Sequence, residues 1–458
     1  MVIYEKKSYF ALCFDFGNMN SIAELHIKDF RAIKQADIHI NGITVVSGIN
    51  GSGKSTLSKL LYYAFRNANS FEELTLHSLN TQLRPYLNVL EQLSSIYIHY
   101  PRYFHISGTS SRVSNRRVLR RDYTLSSISE TSFYIEEIRE LCNRFVELDS
   151  LMKAEGSSAM SERLNMILRS TLKNTDSKQT LKHLLDELVH RIHEHIQKAE
   201  VMLAERPYRI LRNSIESSFD ASIPKNIVLQ EYGDYILGEK ITNVPLPHYI
   251  KKVVYIDTPM VIGMETYPGQ PSYWKELNDL LKLPPRRGYK RTINNFIKEE
   301  ILKGDASFDY DLFSGGFKYK RLDGKEFDLL ECATGIKSFS LLQMLLKNLY
   351  LDENTLLIID EPEAHLHPQW IVEYARLIIL LHKKLGVKFF IASHSTDMVS
   401  AIRYISEKDK CLSSVSFYVA EEDTNKKDSY IFKSLGHDIE PIFESFNKSF
   451  KALDKYVE

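Results

Sequence analysis

Apolar residues along the chain follow two rhythms. The first is short and unbroken: ITVVS at 43–47, VVYI at 253–256, TLLII at 355–359 and KFFIA at 388–392. TLLII has no alternation, which predicts a strand covered on both faces, as in a parallel sheet. The second rhythm has helical spacing. TLSKLLYYAF follows the first strand, and a pattern through Leu377 and Leu381 follows the third. Ile135, Ile138, Cys142, Phe145 and Leu148 predict a helix over 132–152, and Leu181, Leu185, Leu188, Ile192, Ile196 and Leu203 another over 179–204. Helices of roughly 20 to 25 residues extend about 30 to 40 Å. Leu342, Leu345, Leu346 and Leu349 mark one face of a helix beginning near Gly335. Before it, FKYKRLDGKEFDLL reads as a hairpin turning at Asp323-Gly324, and SVSFYVAEED near the end reads as one more strand.

Composition narrows the class without choosing a function. The 458 residues are 43% apolar and 26% charged, with 59 basic against 59 acidic side chains. This is the profile of a soluble globular chain of two to three domains. No apolar run approaches the roughly 20 residues that span a bilayer. MVIYEKKSYFALCFDFG lacks the uncharged core of a signal peptide, so the first 18 residues read as an add-on. Cys13, Cys142, Cys332 and Cys411 form no CxxC pair, which disfavours zinc and a disulfide framework and fits a cytoplasmic home. Zero net charge excludes a uniformly basic nucleic-acid binder but not a local basic stripe.

The first strand runs into GINGSGKST, comprising Gly48, Asn50, Gly51, Ser52, Gly53, Lys54, Ser55 and Thr56. A strand before G-x-x-x-x-G-K-[ST] and a helix after it is the context a phosphate-binding loop requires. Its glycines let backbone N–H groups curl around an anion at a helix N-terminus. Lys54 is expected to reach the β- and γ-phosphates of ATP, and Ser55 to ligate Mg²⁺. The third strand ends at Asp360-Glu361, where functional groups of parallel sheets emerge. Neighbouring strand residues point to opposite sides, so the two acids divide the work. Asp360 suits holding Mg²⁺ and Glu361 suits acting as general base toward the attacking water. The following strand ends at His394, within reach of the γ-phosphate or that water.

GINGSGKST, ATGIKSFS, LLIIDEPEAHLHP and FFIASHS, in that order, resemble the ATP-binding heads of the ABC superfamily, in the branch of SMC proteins and OLD-family ATPases. Within that branch the resemblance is greatest to PtuA-type ATPases of Septu and retron-associated antiphage systems. It implies an α/β P-loop ATPase head, mainly parallel in its sheet, with a β-rich N-terminal lobe and an inserted helical or coiled-coil subdomain. It places Phe30 and Arg31 beside the adenine. It also implies two heads sandwiching two ATPs, with the turn at Thr334 and Gly335, and Lys337 just after it, capping the γ-phosphate of the opposing chain. Ile336 and Lys337 depart from the usual S-G-G-[QE], so hydrolysis is expected to be slow. The glutamine that normally ends the lobe-joining strand has no counterpart; Asp257 or Thr258 stands in its place.

The resulting division is an extension over 1–21, a first head lobe over 22–100, a helical insertion over 101–220, the rest of the head over 221–435 and an amphipathic tail over 436–458. Residues 102–121 carry Arg112, Arg116, Arg117, Arg120 and Arg121 without an acid, so nucleic-acid contact and a solvated loop remain equal readings. PPRRGYKR at 284–291 reads as a loop, and His190, His193 and His195 as a solvated helix face. No acid constellation of a Toprim nuclease follows His394. The expected function is a dimeric or higher-order ATPase, not itself a nuclease, that controls a separate HNH-type nuclease, with DNA or a retron product as a candidate ligand and no membrane partner. Two alternatives stay open: an ATPase acting directly on DNA, and a scaffold that binds ATP without hydrolysing it.

Overall fold

The computed structural model describes residues 21–98, 125, 127–154, 158–173, 179–224, 226–264, 271–311, 315–364 and 366–444. Residues 1–20 of the extension over 1–21 and the arginines of 102–121 lie outside them, as does most of the C-terminal tail. The chain divides into two compact units, one formed by 1–69 with 215–458 and the other by 70–214.

The first unit is built on a ten-stranded sheet. Its strands are β1 (Ala23–Phe30), β2 (Ile33–Ile40), β3 (Ile43–Ser47), β4 (Ile227–Glu231), β5 (Asp234–Leu237), β6 (Lys252–Ile256), and, after three that form a separate sheet, β10 (Thr355–Asp360), β11 (Lys388–Ser393), β12 (Val415–Glu422) and β13 (Tyr430–Gly436). The order is β5-β4-β1-β2-β13-β12-β3-β11-β10-β6. From β12 through β3, β11 and β10 to β6 every pair is parallel. Every residue of β3, β10 and β11 is buried, as unbroken apolar runs require when helices cover both faces. The β5-β4-β1-β2 half is antiparallel. There β1 and β4 alternate buried with partly buried positions, the pattern of a sheet with one face toward solvent. Five of the nine strand pairs are parallel and four antiparallel, so the sheet is mixed with parallel pairing in the majority, and the motif-bearing strands are gathered in its parallel half.

Local signals set the flanking helices. Pro368 opens helix Pro368–Leu385 where a missing N–H costs nothing, His367 caps it, and Gly386 ends it at φ 73°. The predicted hairpin forms as β8 (Gly316–Arg321) and β9 (Glu326–Asp328), joined to β7 (Gly304–Asp309) in a three-stranded sheet. Helix Thr334–Lys347 begins where expected but stops short of Leu349, whose φ of 59° lies outside helical space.

The second unit is helical: Phe71–Ile98, Thr131–Ala154, Ser158–Leu172 and Leu181–Glu205. The two predicted long helices bury Ile135, Ile138, Cys142, Phe145, Leu185, Leu188, Ile192 and Ile196 in its core. Helix Phe71–Ile98, which the pattern did not single out, contributes Leu79, Leu83, Leu87, Leu90 and Leu93 to the same core. That shared face is why this unit starts at Ser70 rather than at 101. His190 is paired with Glu194, while His193 and His195 bond to Gln197 and Gln82. Among the described residues no group of three or more His, Cys, Asp or Glu is placed to hold a metal ion by itself, and no helix is long and apolar enough to cross a membrane.

Candidate functional site

β3 delivers the chain into a loop whose glycines are fixed by space as well as by conformation. At Gly53 φ is 99°, and a Cβ there would come 2.7 Å from Ile33 Cγ1. A Cβ on Gly48 would come 2.7 Å from that of Ala420. Helix Lys54–Asn69 starts immediately after, so its first N–H groups lack intrahelical acceptors and face the loop. Lys54 is buried and donates from Nζ to the carbonyls of Gly48 at 2.7 Å and Ile49 at 3.0 Å. Burial lowers its pKa, while the negative fields of Glu361, Asp360 and Glu363 oppose that shift. Ser52 Oγ is buried without a hydrogen-bond partner.

Asp360 closes β10, two strands from β3. Its Oδ2 accepts from Tyr255 Oη at 2.9 Å, and the Ser55 hydroxyl also donates to the carboxylate. Burial raises its pKa; those two hydrogen bonds pull it back. Oδ1 is buried and unpartnered. An orphaned carboxylate oxygen with a hydroxyl beside it fits the oxygen-only demand of Mg²⁺, and the empty bonding capacity of the loop fits phosphate.

Glu361 leaves the strand with φ 51°, in left-handed space, and its N–H donates to Ala392 O at 2.8 Å. The turn leaves its side chain 42% exposed. Beside it lies a residue the motif reading passed over. Glu363 is buried, and its Oε1 accepts from Ser393 Oγ at 2.9 Å and from the backbone N–H of His394 at 2.8 Å. Burial raises its pKa against the pull of these donors. His394 Nδ1 sits 3.1 Å from Glu363 Oε1 and 3.5 Å from Glu361 Oε1. Lys54, Ser55, Asp360, Glu361 and His394 thus meet at the carboxyl ends of three neighbouring strands.

The remaining predicted residues lie apart from this cluster or bear on it differently. Phe30 is buried edge-on to Phe219, at 5.7 Å between centroids, and Arg31 lies over the Phe219 ring and donates to Phe219 O at 2.8 Å. Phe30 is thus a core residue, not an open stacking face. Asp257 accepts from Tyr273 Oη and Trp274 Nε1, both at 2.9 Å, and Thr258 caps the short turn Pro259–Val261. A narrow cleft beside Asp360 and Glu361 is lined by Asp257, Thr258, Ser338 and Tyr374. Helix Thr334–Lys347 has no side-chain cap at Ala333. A Cβ on Gly335 would lie 2.2 Å from Trp370 Cε3, so close packing demands the glycine. Lys337 is 8% exposed, and among the described residues its ammonium donates to Met260 Sδ at 3.7 Å and lies near Cys332. Arg286, Arg287, Lys290 and Arg291 are exposed.

The chain matches the AAA ATPase domain family over residues 21–399. Similar solved structures include the SMC head domain from Thermotoga maritima, at 12% identity and TM-score 0.25, covering 35% of this chain and 51% of that one. An Smc head bound to the C-winged helix domain of ScpA shares 12% identity at TM-score 0.33, covering 90% and 96%. An Smc head with an extended coiled coil, bound to the C-terminal domain of ScpA and derived from Pyrococcus furiosus, shares 14% at TM-score 0.31, covering 95% and 99%. No curated protein matches the chain. The family match takes in the phosphate loop, the acidic strand end and the histidine, and with it the chain belongs to the AAA ATPase domain family.

Proposed function

We propose that the chain is an ATP-driven switch whose heads close in pairs around nucleotide and control a separate effector. Lys54 and the loop amides bind the phosphates; Ser55 and Asp360 would hold Mg²⁺, which would supply neutralising positive charge to the phosphates. Glu361 takes a proton from the attacking water, and His394 steadies that water or the γ-phosphate. Thr334, Gly335 and Lys337 meet the nucleotide of the opposing head.

One observation carries the paired arrangement. Lys337 is buried at an uncapped helix start, and among the described residues it has no carboxylate to pair with. A cation beside the open N–H groups of a helix start favours an anion, and a phosphate supplied by another subunit would be one. The test is sedimentation of Glu361→Gln with ATP and Mg²⁺. A dimer is expected, and Lys337→Glu in the same background should return it to monomer. Monomers in both cases would refute the paired closure.

The effector assignment, an HNH-type nuclease in antiphage defence, is supported by the motif order alone. Robust DNA cleavage by the purified chain without a partner would defeat it. The exposed Arg286, Arg287, Lys290 and Arg291 favour a second reading, direct action on DNA. Turnover stimulated by DNA and lost when these four become alanine would select it.

A further inference from the structure

Tyr255, the phenol that holds Asp360 Oδ2, is itself held. Its ring lies against that of Tyr273, 4.7 Å away between centroids with the planes 70° apart, and against that of Tyr62 at 5.9 Å. Tyr62 and Tyr273 meet edge-on at 5.8 Å, and all three side chains are buried. Each hydroxyl donates to a different acid: Tyr255 to Asp360, Tyr273 to Asp257 Oδ2 at 2.9 Å, and Tyr62 to Glu276 Oε2 at 2.5 Å. Burial, reinforced by these acids, raises the pKa of all three phenols, so each stays a protonated donor. Rings in contact at interior packing density attract one another and cannot slide independently, so a hydroxyl tethered on one ring limits the next.

Asp257 stands one residue past β6 and lines the same cleft as Asp360. The two acids are engaged differently. Both oxygens of Asp257 accept from helix Ser272–Leu281, Oδ2 from Tyr273 and Oδ1 from Trp274 Nε1 at 2.9 Å, whereas Asp360 Oδ1 has no hydrogen-bond partner. We propose that Tyr273 is a positioning residue for the Mg²⁺-binding carboxylate: tethered by Asp257, it braces Tyr255 and so fixes Asp360, and Asp257 acts on the metal only through that phenol. The inference rests on the reading of Ser55 and Asp360 as the Mg²⁺ ligands. The acid at the end of the lobe-joining strand thereby serves helix Ser272–Leu281 rather than the metal directly.

The test follows binding of a fluorescent ATP analogue, N-methylanthraniloyl-ATP, to the full chain as Mg²⁺ is added, and needs no turnover. Tyr273→Phe keeps the ring and removes its tether; the Mg²⁺ concentration at half-effect is expected to rise about threefold or more, with metal-free affinity unchanged. Asp257→Ala should raise it similarly, and should add nothing in a Tyr255→Phe background, where the link to Asp360 is already cut. An unmoved midpoint in Tyr273→Phe overturns the proposal. A further rise from Asp257→Ala in the Tyr255→Phe background also overturns it, since Asp257 would then reach the metal by itself. Equal losses of affinity with and without Mg²⁺ do the same, because they mark general damage to the fold. If Asp257→Ala fails to fold, Tyr273→Phe in the Tyr255→Phe background carries the comparison, with no further rise expected. Asp360→Asn separates the two readings: an unmoved midpoint there defeats the ligand assignment itself, whereas a large rise there with none in Tyr273→Phe defeats the brace alone.

Discussion

The Asp360 carboxylate owes its orientation to a phenol. Tyr255 sits on the strand next to β10 and donates to Oδ2, leaving Oδ1 as the oxygen without a partner. Removing that donor frees the carboxylate to rotate. Tyr255→Phe is therefore expected to raise the Mg²⁺ concentration needed for tight ATP binding about tenfold or more, with metal-free binding unchanged. Titration of a fluorescent ATP analogue against Mg²⁺ checks this. Gly335 is constrained by its neighbour instead. With a Cβ 2.2 Å from Trp370, Gly335→Ala must displace the indole or the helix start, at about 1 to 3 kcal/mol of stability in denaturant unfolding. The Thr-Gly motif flagged this position for its chemistry; the packing against Trp370, on a helix distant in sequence, was not legible. Glu363 escaped for a related reason. An acid three residues beyond a strand end looks solvated until β11 is seen to lie beside β10 and bring Ser393 and His394 to it.

Elements were more legible than residues. The unbroken run of β10 announced a strand covered on both faces and the apolar runs of β3 and β11 announced strands; parallel pairing then puts Ser47, Asp360 and Ser393 at one edge. Helix Phe71–Ile98 was harder to see, because Pro85 lies inside it and its partners are the insertion's other helices. The opposite end of β11 makes a pH prediction. Lys388 is buried at the strand start, its Nζ bonded to Glu353 O and 3.8 Å above the Tyr249 ring. Burial pushes its pKa down to about 8, against 10.5 for a free lysine. Between these values the unfolded chain holds a proton that the folded one has released, so stability rises with pH across that window. Relative to Lys388→Met, the wild-type chain should gain melting temperature from about pH 8 to 10 and be at its greatest relative disadvantage below pH 8.

At the scale of the assembly, shared sites make a prediction that sites contained in one chain cannot. Under the proposed paired closure, Lys54→Ala should abolish the phosphate grip of its own head, and Lys337→Glu the cap proposed for its neighbour. Mixed, the two inactive variants should regain ATP turnover, since each mixed pair contains one site with an intact loop and an intact cap. Phosphate release that stays at background in every mixture would mean that each chain completes its own site. One further consequence concerns the backbone of Glu361. At φ 51° a side chain other than glycine is disfavoured by about 1 to 2 kcal/mol. Glu361→Gly should then melt no lower than the wild-type chain while losing turnover. The protein holds the acid proposed for hydrolysis in a posture that acid would not choose, and gives up some durability to keep it there.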